Sequence, residues 1–302
     1  SNTVWQRPQD NLAAGTKIPG YNLDQYGHVF HEHKVCVPAE ITLAILEYYH
    51  QFGHPGGEKL YGIVTRRYEF EITLGELRRN CVRVSQHCQT CQAVKPRTGY
   101  PSFGTRDFWP VPDDIFLSIS FDFLALPKCT GQDGQTYDTC FVVVDRLSGY
   151  VQAIPCLKEG LTSKNLAYLF MKNCILWTGL PLEILSDNDI LVTTKFFEEL
   201  CIALGIQQHR AVIYRPAGNG RAERAVRTVV DILRVTLNAP GVQMTWVDAL
   251  PWCLFIQNSL PGIINGFSPH RIVFGRELYL PGDLPPLAVA SREVLADEFF
   301  TN

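Results

Sequence analysis

Apolar and polar positions divide this chain into two regimes. In the first, up to residue 85, the apolar positions come in short groups. His28-Val-Phe-His-Glu-His-Lys-Val-Cys-Val37 alternates as a strand or hairpin does. Pro38 then introduces a helix over Glu40–Gln51. A second helix is predicted over Gly57–Arg67. A third covers Thr73–Ser85, where Leu74, Leu77, Cys81 and Val84 recur at helical spacing. Helices this short cannot build a large core unaided. In the second regime the apolar runs are longer. They predict strands at Ile115–Leu126, Thr139–Asp145, Tyr150–Leu157, Leu182–Leu185 and Ile206–Tyr214, and helices at Ser163–Thr178, Thr194–Leu204, Arg221–Asn238 and Thr245–Leu260. Arg146-Leu-Ser-Gly149 reads as a tight turn capped by Asp145, which makes its flanking strands antiparallel neighbours. Three meandering strands, then alternating helix and strand, predict an α/β fold: a mixed sheet with helices on both faces.

Between the regimes, residues 92–113 hold Lys95, Pro96, Arg97, Gly99, Pro101, Gly104, Pro110 and Pro112, the composition of an interdomain linker. The expected organisation is an N-terminal extension (1–45), a small helical domain (46–95), a linker (96–113), an α/β domain (114–282) and a tail (283–302). Residues 1–20 are polar and read as loosely ordered, and no Met precedes Ser1, as in a processed product.

Composition narrows the classes. At 302 residues, 46% hydrophobic and 19% charged, the chain is an ordinary globular protein of two domains or one large one. No apolar run is long enough to cross a membrane and no signal sequence opens the chain, so no membrane partner is expected. Of ten cysteines only Cys88 and Cys91 form a close pair. Cys129, Cys140, Cys156, Cys174, Cys201 and Cys253 are scattered through apolar segments, as small hydrophobes are, so a reducing intracellular compartment is expected. The net charge of −3 and pI near 6.2 are unlike a typical nucleic-acid binder. Locally the balance reverses. Arg210, Arg215, Arg221, Arg224, Arg227 and Arg234 share their stretch with only Glu223 and Asp231. Lys59, Arg66, Arg67, Arg78, Arg79 and Arg83 form a second cluster. Taken alone, each reads as a solvated helix face, but a basic strip on a near-neutral protein can track phosphates.

Two residue sets carry chemistry. His50-Gln-Phe-Gly-His54 spaces two imidazoles four apart, and Cys88-Gln-Thr-Cys91 is a turn-forming thiolate pair. Two His and two Cys satisfy tetrahedral Zn²⁺ with no open position, which is a structural site, and a small helical domain needs such a staple. His87, one residue from Cys88, is expected to point away; His28, His31 and His33 read as surface residues. The second set is acidic. Asp122 lies within Ser118-Ile-Ser-Phe-Asp-Phe-Leu-Ala-Leu126, Asp187 ends Leu182-Glu-Ile-Leu-Ser-Asp187, and Glu223 starts a helix after a Gly-rich turn. Carboxylates at two strands and a helix start can converge on a pair of divalent cations, an arrangement for in-line displacement at phosphorus. Arg227 lies one turn beyond Glu223 on the same helix face.

In this order the motifs resemble the integrases of retroviruses and gypsy-type LTR retrotransposons, over residues 28–282. His54-Pro-Gly-Gly57, Cys88-Gln-Thr-Cys-Gln92, Val143-Val-Asp-Arg146, Ser186-Asp187, Tyr214-Arg-Pro216 and Ser268-Pro269 add to the match. The resemblance implies an RNase H-like five-stranded sheet behind a small all-α His-His-Cys-Cys zinc domain. It implies Mg²⁺ or Mn²⁺ held by Asp122, Asp187 and Glu223, with 3′-end processing and strand transfer of element DNA into target DNA. DNA contacts are expected at Tyr214, Arg215, Arg221, Arg224 and Arg227. The resemblance further implies a homodimer or homotetramer, a chromatin-associated tethering protein, and a nuclear location with a cytoplasmic phase. Asp189 and Val192 stand where relatives commonly carry Gly and Phe, and Arg215 where they often carry His or Asn. The tail from Asp283 to Asn302 is short and acidic for the family's C-terminal β-barrel. These departures fit an alternative: a domesticated, catalytically impaired integrase that binds DNA or a protein.

Overall fold

Cys140-Phe-Val-Val-Val144 is an unbroken apolar run, the pattern of a strand covered on both faces. In a computed structural model all five residues are buried, in a strand that spans Thr136–Asp145. The structure describes residues 18–24, 27–95, 112–186, 194–210, 220–239, 241–262, 266–281 and 283, with backbone alone at 210 and 220–223. These fall into two compact units. One holds residues 1–88, 263–266 and 278–302, and the other 89–262 and 267–277.

The second unit is built on five strands: β5 (Ser118–Thr130), β6 (Thr136–Asp145), β7 (Val151–Cys156), β8 (Glu183–Ser186) and β9 (Gln207–Arg210). Their order is β7-β6-β5-β8-β9. The β5–β6 and β6–β7 pairs are antiparallel, and the β5–β8 and β8–β9 pairs are parallel. This is the expected mixed sheet. Ile119, Phe121, Phe141, Val143 and Ile184 point from it into one core. Leu166, Phe170 and Cys174 of the helix starting at α5 (Ser163–Phe170), and Phe197 and Cys201 of α6 (Lys195–Ala203), complete that core. Phe121 meets Phe141 and Phe170 edge-on, with centroids 4.9 and 4.8 Å apart. Helices α7 (Gly220–Leu237) and α8 (Trp246–Ser259) pack on each other; α7 packs on β6 and α8 on β5 and β7. The outer edge of the sheet is closed by Asn258. Its side-chain amide accepts from Val151 N and donates to Val151 O, both at 2.9 Å. A short helix, α9 (Pro269–Phe274), follows with Ser268 as its N-cap.

Three details depart from the pattern. β5 runs past Leu126 to Thr130, with its register shifting between Ala125 and Cys129 around Pro127, which has no N–H to give the ladder. Asp145 does more than cap its turn: it accepts from Ser148 N at 2.8 Å and also from Phe116 N at 2.9 Å. The helix from Ser163 passes through a π turn at Met171–Ile175 before ending at Leu176–Thr178. Seven residues after buried Phe170, Trp177 would face the core of a regular helix. The wider turn shifts the phase, and Trp177 is 81% exposed.

The first unit contains α1 (Thr42–Gln51), α2 (Gly57–Arg67) and α3 (Leu74–His87), close to the predicted helices. Thr73 caps α3 by accepting from Glu76 N, as its Thr-x-x-Glu spacing favours. Leu46, Tyr49, Leu60, Ile63, Val64, Leu77 and Cys81 form the core. Gly57 lets α2 approach α3 closely: a Cβ there would lie 2.7 Å from Val82 Cα. The hairpin expected at residues 28–37 is present, and the one correction to the all-α expectation for 46–95 is a short strand at Tyr68–Phe70. Strands β1 (Tyr21–Leu23), β2 (Val29–His31), β3 (Lys34–Val37) and β4 (Tyr68–Phe70) form one sheet in that order. β4 pairs in parallel with β3, setting Tyr68 beside Val35 and Phe70 beside Val37. That pairing, distant in sequence, makes a strand of a three-residue run. Residue 45, expected as a domain boundary, lies within α1. Among the described residues no helix is long and apolar enough to cross a membrane.

Candidate metal centres

His50 sits in the last turn of α1 and is 4% exposed. The chain then reverses through two left-handed residues, Gly53 (φ 72°) and His54 (φ 48°). Glycine takes that conformation freely and histidine takes it uncommonly, so the reversal is held by what His54 meets. His54 lies across the His50 ring, centroids 4.8 Å apart at 74°. Its Nδ1 is 3.2 Å from Cys88 Sγ. Cys88 ends α3, and Cys91 lies buried in the short helix α4 (Gln89–Val94). The division between units falls within this Cys-x-x-Cys turn, between residues 88 and 89.

The ligand atoms of His50, His54, Cys88 and Cys91 lie within 4.8 Å of one another. In a tetrahedral zinc shell they would stand roughly 3.3–3.8 Å apart, so small adjustments close the set. His50 Nδ1 donates to Pro55 O at 3.1 Å, which fixes the tautomer and turns Nε2 to the centre. The donor set fits a structural zinc ion. Among the described residues no other group of three or more His, Cys, Asp and Glu side chains converges this way. His87 turns away, donating from Nδ1 to Arg83 O at 2.8 Å. His31 stacks on Tyr21 and pairs with Glu69 at 2.5 Å, and His28 pairs with Asp24 at 2.8 Å. Glu69 is far from His31 in sequence, so spacing gave no sign of that pair.

Asp122 lies on β5 between Phe121 and Phe123, which belong to the core side. Alternation places Asp122 on the opposite face, with Ser120. Its Oδ1 accepts from Phe123 N at 2.8 Å. β5 and β8 run in parallel register, Ser118 beside Glu183 through Phe121 beside Ser186. Asp187, the next residue, lies outside the described residues, as do Asp189, Val192, Tyr214 and Arg215. Positions 221 and 223 lie in the first turn of α7; their side chains are outside the description. Arg224 and Arg227 are exposed, while Ala225, Val226, Val229, Ile232 and Leu233 make the buried face of α7.

One supporting residue went unassigned in the sequence. Arg146, largely buried, donates to Ser118 Oγ at 2.8 Å and stands 3.9 Å from Glu183. It ties the end of β6 to the starts of β5 and β8. The Val143-Val-Asp-Arg146 motif was its only signal. Burial pushes the thiols of Cys81 and Cys174 up to about 12, and those of Cys156, Cys201 and Cys253 to about 11. These five remain protonated packing groups near neutral pH.

Residues 37–97 match the integrase zinc binding domain family. Over 267 residues, 86% of the chain, the sequence is 32% identical to the Tf2-3 and Tf2-4 transposon polyproteins of Schizosaccharomyces pombe. The chain spans 18% of the length of those relatives. Two solved structures are also similar. The simian T-cell lymphotropic virus intasome in complex with PP2A regulatory subunit B56 gamma aligns at TM-score 0.47 and 18% identity, covering 80% of this chain and 77% of that one. The HTLV-2 integrase catalytic core domain in complex with magnesium (dimeric form) aligns at 0.40 and 22%, covering 53% and 97%.

Proposed function

We propose that this chain, which belongs to the retroviral and gypsy-type integrase family, is a polynucleotidyl transferase that trims the 3′ ends of element DNA and joins them to target DNA. The observation that carries the reading is the parallel register of β5 and β8. It pairs Phe121 with Ser186, and continued by one residue it would set Asp122 beside Asp187. Position 223 lies in the first turn of α7, one turn before exposed Arg227. Asp122, Asp187 and Glu223 are the residues we assign to the divalent cations. Two such ions, when bound, stabilise the attacking and leaving oxygens of an in-line displacement. β5 holds Asp122 in direction, and the N-terminal end of α7 favours an approaching phosphate. Arg224 and Arg227 take the DNA backbone along the same helix, with Arg221, Arg215 and Tyr214 preceding them. His50, His54, Cys88 and Cys91 close a structural zinc shell with no open position.

The partners on this reading are element ends and target DNA, one further copy of the chain in a homodimer or three in a homotetramer, and a chromatin-associated protein. The site of action is the nucleus, after a cytoplasmic phase. Asp189 and the net charge of −3 favour a second reading, a domesticated integrase that binds without cutting. A branched DNA that mimics the strand-transfer product separates the two. Incubated with Mn²⁺ or Mg²⁺, it is resolved by the native chain and left intact by Glu223→Gln. Failure of the folded, zinc-loaded native chain to resolve it, with tight DNA binding retained, supports the second reading.

A further inference from the structure

Asp283 is a carboxylate whose side chain is only 4% exposed, at the start of the tail that the sequence sets apart as short and acidic. A buried charge is tolerated only where it is paired and hydrogen-bonded. Arg67, at the end of α2, donates from Nε to Asp283 at 2.8 Å. Its guanidinium is itself fixed, donating to Ile63 O and to Leu278 O, each at 3.1 Å. Tyr49 of α1 donates its hydroxyl to the same carboxylate and shares a 2.9 Å hydrogen bond with Tyr68 of β4. Burial raises both phenols above their ordinary values, so they remain neutral donors. Leu280 N donates back to the Asp283 carboxylate at 2.6 Å, and Asp283 N donates to Leu280 O at 2.9 Å, closing a turn. Leu280 is buried, and Tyr48 donates to Pro281 O at 2.9 Å.

All of these groups belong to the first unit. The chain leaves that unit at Cys88 and returns to it at Leu278, after the whole second unit. The zinc-domain family match ends at residue 97 and includes none of the returning segment.

We infer that Leu278, Leu280, Pro281 and Asp283 form a latch, and that Tyr48, Tyr49, Arg67 and Tyr68 form its socket, a recognition site for a buried turn that carries one carboxylate. Arg67 and Tyr49 read the carboxylate, Tyr48 reads the Pro281 carbonyl, and Leu280 supplies the apolar anchor. The latch makes the zinc-binding unit discontinuous: part of its fold lies beyond the catalytic unit in sequence. A fragment ending in the linker would bury Arg67 and Tyr49 without their acceptor. This inference does not depend on catalytic activity.

Hydrogen exchange on the full, zinc-loaded chain tests it, comparing the native protein with Asp283→Ala and Arg67→Ala. Removing one partner of a buried pair should speed exchange of the Leu280 and Asp283-position amides roughly hundredfold. Exchange in α1, α2 and β4 should rise with it, with zinc still bound and the sheet of the second unit unchanged. A peptide spanning residues 277–284, added to the Asp283→Ala chain, should restore protection to α1 and α2, and the same peptide with Ala at 283 should not. The latch is refuted if both variants leave the segment's exchange unaltered, if the native segment already exchanges like an open chain, or if the peptide restores nothing.

Discussion

On the proposed reading, the His-His-Cys-Cys group and the sheet unit would reach a metal centre by opposite routes. For the His-His-Cys-Cys group, the four ligands come as two close pairs, His50 with His54 and Cys88 with Cys91, and the helices α1–α3 bury a small core. The ion there would be part of what holds the fold. In the second, the sheet is held by its own aromatic core, Phe121, Phe141, Phe170 and Phe197, and Asp122 sits on the face away from it. There the ions would be guests of a scaffold that stands without them. A centre that staples its fold and a centre borne by its fold should respond differently to the same perturbation.

Chelation should produce the largest difference. Structural zinc contributes on the order of 10–16 kcal/mol to small domains, so a strong chelator should melt α1–α3 while the β5–β9 sheet keeps its amide protection. Thiol alkylation near neutral pH should then reach Cys88 and Cys91, with Cys174, Cys201 and Cys253 still silent because burial keeps them as thiols. Simultaneous loss of both units would break the comparison. Phe121→Ala should do the reverse, costing about 3–5 kcal/mol in the sheet unit with zinc content unchanged, read by denaturant melts beside metal analysis. Gly57→Ala should cost about 1–3 kcal/mol, because the new methyl meets the Val82 backbone. That loss should appear as weaker zinc retention. Asn258→Ala strands the buried N–H and C=O of Val151 and should cost roughly 1–3 kcal/mol, confined to the sheet unit. Trp177→Ser, at an exposed position, should change stability by no more than about 0.5 kcal/mol.

The sequence was most legible where determinants were local. Apolar spacing located α1, α2, α3, α7 and α8 to within a few residues, and the Arg146–Gly149 turn correctly made β6 and β7 antiparallel. The zinc group was legible because each half is a short motif. What escaped was non-local. Tyr68-Glu-Phe70 is too short to show a period, and only its pairing with β3 makes it a strand. The π turn at Met171–Ile175, which leaves Trp177 exposed, has no signature in the apolar spacing. The return of Leu278–Asp283 to the first unit rests on Arg67 and Tyr49, more than two hundred residues away along the chain. For the acidic set, the apolar runs indicated which carboxylates end or interrupt strands. Only the β5–β8 register relates Asp122 to the end of β8.

The most direct test is a crystal of the full chain grown with Mn²⁺, with anomalous scattering collected at the zinc and manganese edges. The account predicts one zinc peak among His50, His54, Cys88 and Cys91, and two manganese peaks about 3.5–4 Å apart with Asp122 between them. A zinc peak with no manganese within reach of Asp122 would contradict the catalytic claim and leave a zinc-stapled binding protein.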